Sequence, residues 1–439
     1  MNTMNSVTTH TLLDELQWRG LLYQYTEGAA ALLQRGVVSG YIGFDPTASS
    51  LHVGSLVPVM ALVHLQRAGH RPIALVGGGT GMIGDPSGRQ TERSLLTVEQ
   101  VDENVRGIRA QLSHFLEFDE SASSRGGAIL VDNAEWLRTL KAVEFMRDIG
   151  KHFTVNYMLQ KESVKARLDE GISFTEFSYM LLQAYDFLEL HRRYGVSLQL
   201  GGSDQWGNIT AGIELIRKTE GSEAHGVTLP LVTTSSGTKF GKSEAGAVWL
   251  DPERTSPYKF YQFWFNVDDR DAGRYLRYFT LLGREEIEEL ERAVSVHPER
   301  REAQQVLARE VTARLHGESA LRAAVEVSDF LFGELEPREL SQTALITLST
   351  EAPFVEIIEA DVMDAQRQGL DVLKLVVASG LTPSNGAARR LLEQGGVSVN
   401  KRKLRSQERV LDPGSTLLTG GYVVVGKGRR DYAVVRVIR

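Results

Sequence analysis

Three short stretches of this chain carry side chains whose types and spacing suit chemistry as well as packing. His52-Val53-Gly54-Ser55 opens a helical run that follows an apolar one. Lys239-Phe240-Gly241-Lys242-Ser243 is a glycine-containing loop with two cations three residues apart. Tyr179-Met-Leu-Leu-Gln183-Ala-Tyr-Asp186 is a helical stretch with polar groups at i, i+4 and i+7. Two lysines on a loop can close over a phosphate chain and act on charge that develops as pyrophosphate leaves. That speeds attack at an α-phosphate without over-binding the nucleotide. A loop also opens again for release. His52 and Thr47 flank a strand-to-helix turn, where they can donate to phosphate oxygens beside a helix N-terminus. Each residue alone has a plainer reading: His52 as a satisfied structural histidine, Lys239 and Lys242 as a solvated turn. Together, in this order, they suggest a nucleoside triphosphate site beside a pocket that selects one polar small molecule.

Two commoner phosphate motifs do not fit. Gly241-Lys242-Ser243 imitates the end of a P-loop, but the glycine that motif needs five residues earlier is Ser236. Gly77-Gly-Gly-Thr-Gly81-Met-Ile-Gly84-Asp85 follows a strand-like run, yet no lysine follows Gly84, and a dinucleotide fingerprint fits poorly. The polar trio is geometrically coherent. Tyr179, Gln183 and Asp186 point one way on a helix, while Met180, Leu181, Leu182 and Ala184 supply a packing face. A solvated helix face is the alternative, and the apolar neighbours favour a cleft.

The elements that must hold these groups alternate. Val37 to Ile42, Arg71 to Val76 and Val196 to Leu200 read as strands, and Leu51 to Ala68 as a helix. Strands alternating with helices at this spacing predict a parallel sheet. Such sheets bind ligands outside the carboxyl ends of their strands. Tyr41, Asp45, Asp85 and Asp204 all fall in or just after strand-like runs, which places them on one crevice. Residues 125–170, with Trp136 to Ile149 and His152 to Leu168, read as a helical insertion between two halves of the sheet. From Pro257 to about Leu335 the pattern turns helical, and Glu336 to Glu356 is the best linker. Asp371 to Ser379 and Ser384 to Glu393 read as short helices, Val397 to Asn400 and Gly421 to Val425 as strands.

At 439 residues the chain predicts two to four domains. No apolar run approaches the roughly 20 residues of a membrane span. The first residues are neither basic nor apolar enough for a secretory signal. The absence of cysteine excludes disulfides, thiolate catalysis and cysteine-ligated zinc. A cytoplasmic protein without a membrane partner is expected. The formal charge is −7, but from Arg389 onward twelve Lys and Arg stand against four Asp and Glu, which leaves −15 on the rest. A basic end on an acidic body suits a polyanion, with an ordinary basic patch as the alternative.

Gly43-Phe44-Asp45-Pro46-Thr47 with Leu51 to Gly54 resembles the first signature region of the bacterial-type tyrosyl-tRNA synthetases, members of class I. Gly84-Asp85-Pro86-Ser87-Gly88, Gly202-Ser-Asp204-Gln205-Trp206-Gly207-Asn208 and Lys239 to Ser243 extend the resemblance nearly end to end. It implies that Tyr41 and Asp186 hold a substrate phenol. Tyr179, Gln183 and Asp85 would hold its ammonium group, with Gln205 lining the pocket. Asp45, Gly54, Gly202 and Asp204 would bind ATP. Thr47, His52, Lys239, Lys242 and Ser243 would serve the phosphates, with Arg93 assisting at pyrophosphate. Ser55 stands where the family has a second histidine, Ile42 where some members have a cysteine, and Arg89-Gln90 where lysines are common.

The implied architecture is a Rossmann-like catalytic domain over 1–235 with an insertion at about 125–170, then the signature loop and an α-helical tRNA-binding domain over 236–335. A linker over 336–370 and a small α+β RNA-binding domain over 371–439 complete it. Leu381 to Asn400 resembles a module shared with certain ribosomal proteins, and Arg389, Arg390, Lys401, Arg402, Lys403 and Arg405 can reach phosphates; a protein-docking module is the alternative. The resemblance implies tyrosine, ATP with Mg2+, and tRNA(Tyr) as partners, no tightly bound cofactor, no metal held by the chain, and a homodimer meeting through Phe145 to Leu159. Two rivals remain: the tryptophan enzyme of the same class, whose pocket must accept an indole N–H, and a non-catalytic RNA-binding protein on the same scaffold.

Overall fold

The computed structural model describes residues 11–85, 96–119, 126–161, 164, 165, 168, 171–237, 240–243, 246–364, 366, 368–428 and 431–438. The chain divides into two compact units, Met1–Ser256 with Phe263–Leu315 and Pro257–Gln262 with His316–Arg439. Among the described residues no helix is long and apolar enough to cross a membrane.

The first unit opens with α1 (Leu12–Arg19), β1 (Gln24–Tyr25), α2 (Ala29–Gln34), β2 (Ser39–Phe44), α3 (Leu56–Arg67) and β3 (Arg71–Val76). It continues through α4 (Val98–Leu112), β4 (Ile129–Asp132), α5 (Ala134–Leu137), α6 (Ala142–Asp148), α7 (Val155–Leu159), α8 (Phe174–Tyr194), β5 (Val196–Gly202), α9 (Trp206–Glu220) and β6 (His225–Leu229). The six strands form one sheet in the order β1-β6-β5-β2-β3-β4. All neighbours run parallel except the β1–β6 pair at the edge. From β2 the chain proceeds outward through β3 to β4, and from β5 it proceeds the other way to β6. The carboxyl ends of β2 and β5 are therefore the point where strand order reverses, which is where open sheets of this kind leave a crevice.

The sequence dictates these elements locally. Strand β3 is buried from its second residue onward, the unbroken apolar run of a strand covered on both faces. Helix α3 is apolar nearly all round and buries Leu56, Val57 and every residue from Val59 to Leu65. The 21-residue α8 starts at Ser173, whose side chain accepts from the Glu176 N–H, and stops at Gly195 with φ 63°. Its last turn carries His191, Arg192 and Arg193, suited to the negative end of the helix dipole. Tyr41, Ile73, Leu75, Val131, Met180, Phe187 and Leu188 meet in the core between this helix and the sheet.

The insertion expected at 125–170 is corrected by β4, which lies inside that range and pairs in parallel with β3, Ile73 facing Ile129. A four-residue apolar run has no period of its own, so only its pairing identifies it as a strand. The helix expected from Trp136 to Ile149 is two short ones, α5 and α6.

After β6, β7 (Lys242–Ser243) and β8 (Gly246–Ala247) form a small hairpin. Helices α10 (Pro257–Phe265), α11 (Asp269–Phe279), α12 (Arg284–Val296) and α13 (Glu302–Phe332) follow. The expectation of one helical domain over 236–335 differs from the structure, because α11, α12 and the first part of α13 belong to the first unit. Gly317, with φ 80° and ψ 166°, breaks the helical backbone of α13 just past the division.

In the second unit Gln262 donates to Ser328 at 2.9 Å and Lys259 pairs with Glu351, which is why six residues of α10 group there. Its elements are α14 (Gln342–Glu351), β9 (Phe354–Ile358), β10 (Met363–Asp364), β11 (Gly369–Asp371), α15 (Val372–Ala378), α16 (Asn385–Glu393), β12 (Val397–Val399), β13 (Arg402–Lys403), β14 (Val410–Leu411), β15 (Tyr422–Lys427) and β16 (Asp431–Ile438). Five strands form the sheet β13-β12-β15-β16-β9. The stretch expected to be a linker over 336–370 is instead structured: α14 lies in it, and β9 joins the sheet in parallel with β16, Val355 facing Val435. Its weak pattern reflects an edge strand with Phe354 and Ile358 exposed. Ser384 caps α16 through the Ala387 N–H, and Val376, Ala388, Leu392, Val397, Val425 and Val435 form the core.

Candidate active site

At the deep end of the crevice β2 presents Tyr41 and α8 presents Asp186, only 1% and 2% exposed. Tyr41 packs edge-on against Phe187, ring centroids 5.2 Å apart, and its buried hydroxyl has no hydrogen-bond partner among the described residues. Asp186 accepts from Trp136 Nε1 and from Asn133 Nδ2, both at 2.8 Å. Asn133 is itself fixed, since it donates to Thr80 Oγ1 at 3.0 Å and accepts the Gly79 N–H at 2.7 Å. Burial raises the Asp186 pKa to about 8 against the lowering effect of these two donors, with Asp45 and Asp132 adding repulsion. Burial, and then the Asp186 charge, push the Tyr41 hydroxyl well above its ordinary range. A buried hydroxyl left unpaired beside a carboxyl group is costly until a polar ligand group satisfies it.

Nearer the mouth the polar groups form two hydrogen-bonded sets. Tyr179 donates to Asp45 Oδ1 at 3.2 Å. Gln205 donates to Asp85 Oδ2 at 2.7 Å, and Asn208 Nδ2 reaches both Gln205 Oε1 at 3.1 Å and Gln183 Oε1 at 3.0 Å. Burial and then the Asp85 charge raise the Asp204 pKa. Burial leads the upward shift of Tyr179 too, followed by the charges of Asp45, Asp85 and Asp186. The aspartates nearer the mouth, Asp45, Asp85 and Asp204, favour a cation such as an ammonium group. A Cβ at Gly202 would press on the Asp204 carboxylate, which would have to move.

The two signature stretches meet through their backbones. The Val53 N–H donates to Val248 O and the Leu250 N–H to Leu51 O, each at 2.9 Å. Gly241, with φ 84°, lies so close to the first signature that a Cβ would stand 2.9 Å from Val53 Cγ2 and 3.2 Å from Gly54 N. The side chain beside it, Phe240, is buried among Phe263, Trp264, Tyr275 and Phe279, stacking on Phe279 at 5.4 Å. That aromatic cluster anchors one end of the loop, and Lys242 with Ser243 lies just beyond it. His52 Nδ1 accepts the Gly54 N–H at 3.0 Å. Thr47 is exposed at the turn after β2, its N–H bonded to Asp45 O. Lys239, Arg93 and the Arg89-Gln90 pair lie outside the described residues.

The six basic residues assigned to RNA sit in the second unit and are all exposed: Arg389 and Arg390 on α16, the others on and around β13. Among the described residues two of their side chains have polar partners, Arg402 with Glu408 at 2.6 Å and Lys401 with Gly333 O at 2.9 Å. Among the described residues no cluster of three or more His, Asp or Glu is arranged to hold a metal ion. Sequence reasoning missed Asn133, Trp136 and Asn208 as members of the site. Asn208 alone left a signal, its place three residues after Gln205; Asn133 and Trp136 lie about 50 residues from Asp186 and are joined to it only by the fold.

The chain is similar to known proteins over most of its length. The family described as tRNA synthetases class I (W and Y) matches residues 34–333, and the tyrosine–tRNA ligase SYY-like C-terminal domain matches residues 355–435. A tyrosine–tRNA ligase of Roseiflexus castenholzii is 53% identical over 98% of this chain and all of its own length. One from Geobacillus stearothermophilus is 49% identical over 97% of this chain and 99% of its own. Among solved structures, a C-terminally truncated mitochondrial tyrosyl-tRNA synthetase of Aspergillus nidulans superposes with a TM-score of 0.66 at 30% identity, covering 73% of this chain and 94% of that one.

Proposed function

This chain belongs to the class I tRNA synthetases (W and Y) and has the tyrosine–tRNA ligase activity of its relatives, and we propose that its crevice performs that reaction with the residues assembled above. The first step joins tyrosine to ATP as tyrosyl-adenylate with release of pyrophosphate, and the second passes the tyrosyl group to the 3′-terminal adenosine of tRNA(Tyr). The tyrosine carboxylate attacks the α-phosphate in line, so no side chain need act as a covalent nucleophile. Catalysis then consists of positioning and charge stabilisation.

Tyr41 and Asp186 take the substrate hydroxyl, and the unpaired Tyr41 hydroxyl beside the fixed Asp186 carboxyl is the observation that carries this assignment. Tyr179, Gln183 and Asp85 hold the ammonium group in the aspartate-lined part of the crevice, with Gln205 alongside. Asp45, Gly54, Gly202 and Asp204 take ATP. Thr47 and His52 donate to its phosphates, while Lys239, Lys242 and Ser243 close over the leaving pyrophosphate with Arg93. Mg2+, if bound, would be held mainly by the triphosphate oxygens and would neutralise their charge. The basic residues on α16 and around β13 contact tRNA phosphates.

The same reading makes the protein a cytoplasmic homodimer. Val143, Met146 and Val155, on α6 and α7, are exposed apolar residues, Val143 by 81%, that a partner subunit would cover. ATP–pyrophosphate exchange with each of the twenty amino acids tests the substrate, and tyrosine alone should support it. Tyr41→Phe should narrow the margin between tyrosine and phenylalanine by about 1–3 kcal/mol. Exchange supported by tryptophan, or discrimination unchanged in Tyr41→Phe, would count against these assignments.

A further inference from the structure

His52 sits in a frame that accounts for more than its backbone position. On one side of the preceding residues, Gln111 Oε1 accepts the Leu51 N–H at 2.8 Å and Gln111 Nε2 donates to Ser50 Oγ at 2.9 Å. On the other side His52 faces Trp249 in an antiparallel bridge, and the Asp251 N–H donates to Ser50 Oγ at 3.1 Å. The imidazole itself is oriented at two points. Its Nδ1 accepts the Gly54 N–H, so the neutral ring carries its proton on Nε2, which is the tautomer that donates to an anion. Across the bridge the Trp249 indole meets it edge to face, centroids 6.2 Å apart at 69°.

Trp249 is held in turn. Its backbone N–H donates to Thr255 Oγ1 at 3.0 Å, and the backbone N–H groups of Arg254 and Thr255 both donate to Asp251 O. This tight turn folds Arg254 back so that its guanidinium carbon lies 3.3 Å from the indole centroid. Arg254 is exposed and makes no ion pair among the described residues; its guanidinium rests on the face of Trp249. A cation over an indole restrains both side chains.

We infer that Trp249 and Arg254 are positioning residues for His52, holding its imidazole aimed at the phosphates of ATP. The inference rests on the phosphate role given to His52 above. Neither residue touches substrate; each acts through the orientation of a donor whose misplacement costs rate rather than ground-state affinity.

Single-turnover adenylate formation with Arg254→Ala, Trp249→Leu and His52→Ala, alone and combined, tests this on the full chain. Arg254→Ala should slow activation about two- to fivefold, the size of effect a partly exposed cation–indole contact can transmit. Trp249→Leu should slow it about tenfold, with the tyrosine dissociation constant unchanged in both. In the His52→Ala background both effects should disappear, and Arg254→Lys and Trp249→Phe should restore most of the rate. Losses that persist in full without His52, or single variants with normal rates, would overturn the inference while leaving the role of His52 intact. Normal activation by His52→Ala would instead remove the phosphate reading and this one with it. If Trp249→Leu lowers the unfolding midpoint, the exposed substitution Arg254→Ala carries the test alone.

Discussion

The proposed amino-acid pocket and the proposed RNA-binding face of the second unit are built by opposite means. In the pocket, Tyr41, Tyr179 and Asp186 are buried, and most of their neighbours are cross-bonded to one another. On the basic face every assigned cation is exposed and carried by a short helix or a tight turn. Buried groups give few contacts that are individually strong and insensitive to salt. Exposed cations give many that are weak, screened and additive. On the proposed reading the pocket would tell one hydroxyl from none, whereas the face would grip a polyanion and need the shape of the RNA to choose among them.

The largest effect expected on this comparison comes from removing the face altogether. A chain ending at Gly333, before α14 and β9, should keep tyrosine activation, because every proposed activation residue precedes Glu244. Affinity for tRNA should fall at least about 100-fold, and its salt dependence should flatten. Exchange and charging assays on the same protein check this, and full charging would show that the face is not the principal RNA contact. The truncated Aspergillus nidulans relative shows that such a fold exists without its C-terminal part.

Substitution on the loop comes next. Lys239→Ala and Lys242→Ala should each raise the barrier to adenylate formation by about 2–4 kcal/mol while barely changing tyrosine affinity. A variant with normal pre-steady-state activation would remove its lysine from the mechanism.

The pocket also predicts a pH effect that the face does not. Asp186 has its pKa raised to about 8 by burial, so the folded state keeps a proton that the unfolded state has already lost above the ordinary carboxylate range. The stabilisation is complete below about pH 4 and is lost as pH rises through about 8. Without tyrosine, stability should fall by up to about 2–3 kcal/mol between pH 6 and pH 9. Asp186→Asn should flatten that slope in thermal unfolding, and a wild-type midpoint constant over this range would contradict the shift.

The smallest effects should come from single exposed cations. Arg389→Ala or Arg390→Ala should weaken tRNA binding by less than about 1 kcal/mol and lower the salt slope by about one. Arg402→Ala should do less, since Glu408 already occupies that guanidinium. Filter binding at several salt concentrations distinguishes them.

Much of the site can be read in the sequence because its residues lie in contiguous motifs with helical or strand-end spacing. Tyr179, Gln183 and Asp186 share a face by the helix repeat alone. What spacing could not supply were the partners: Trp136 and Asn133 for Asp186, Asn208 between Gln183 and Gln205, and Trp249 against His52. Each depends on which elements the sheet brings together, and a short apolar run such as Ile129 to Val131 gives no clue to its place at the sheet edge.

By itself, then, the sequence determined what is local. The caps at Ser173 and Ser384, the unbroken apolar runs of a parallel sheet, the turn glycines and the separation of charge between body and end all follow from neighbouring residues. Tertiary structure decided what is distant. It placed β9 beside β16 across some eighty residues, set residues 248–250 against the first signature, and left the Tyr41 hydroxyl unpaired beside Asp186. The physical reason is that helix and turn preferences act over a few residues, whereas burial and hydrogen-bond satisfaction are settled only when the whole chain has packed.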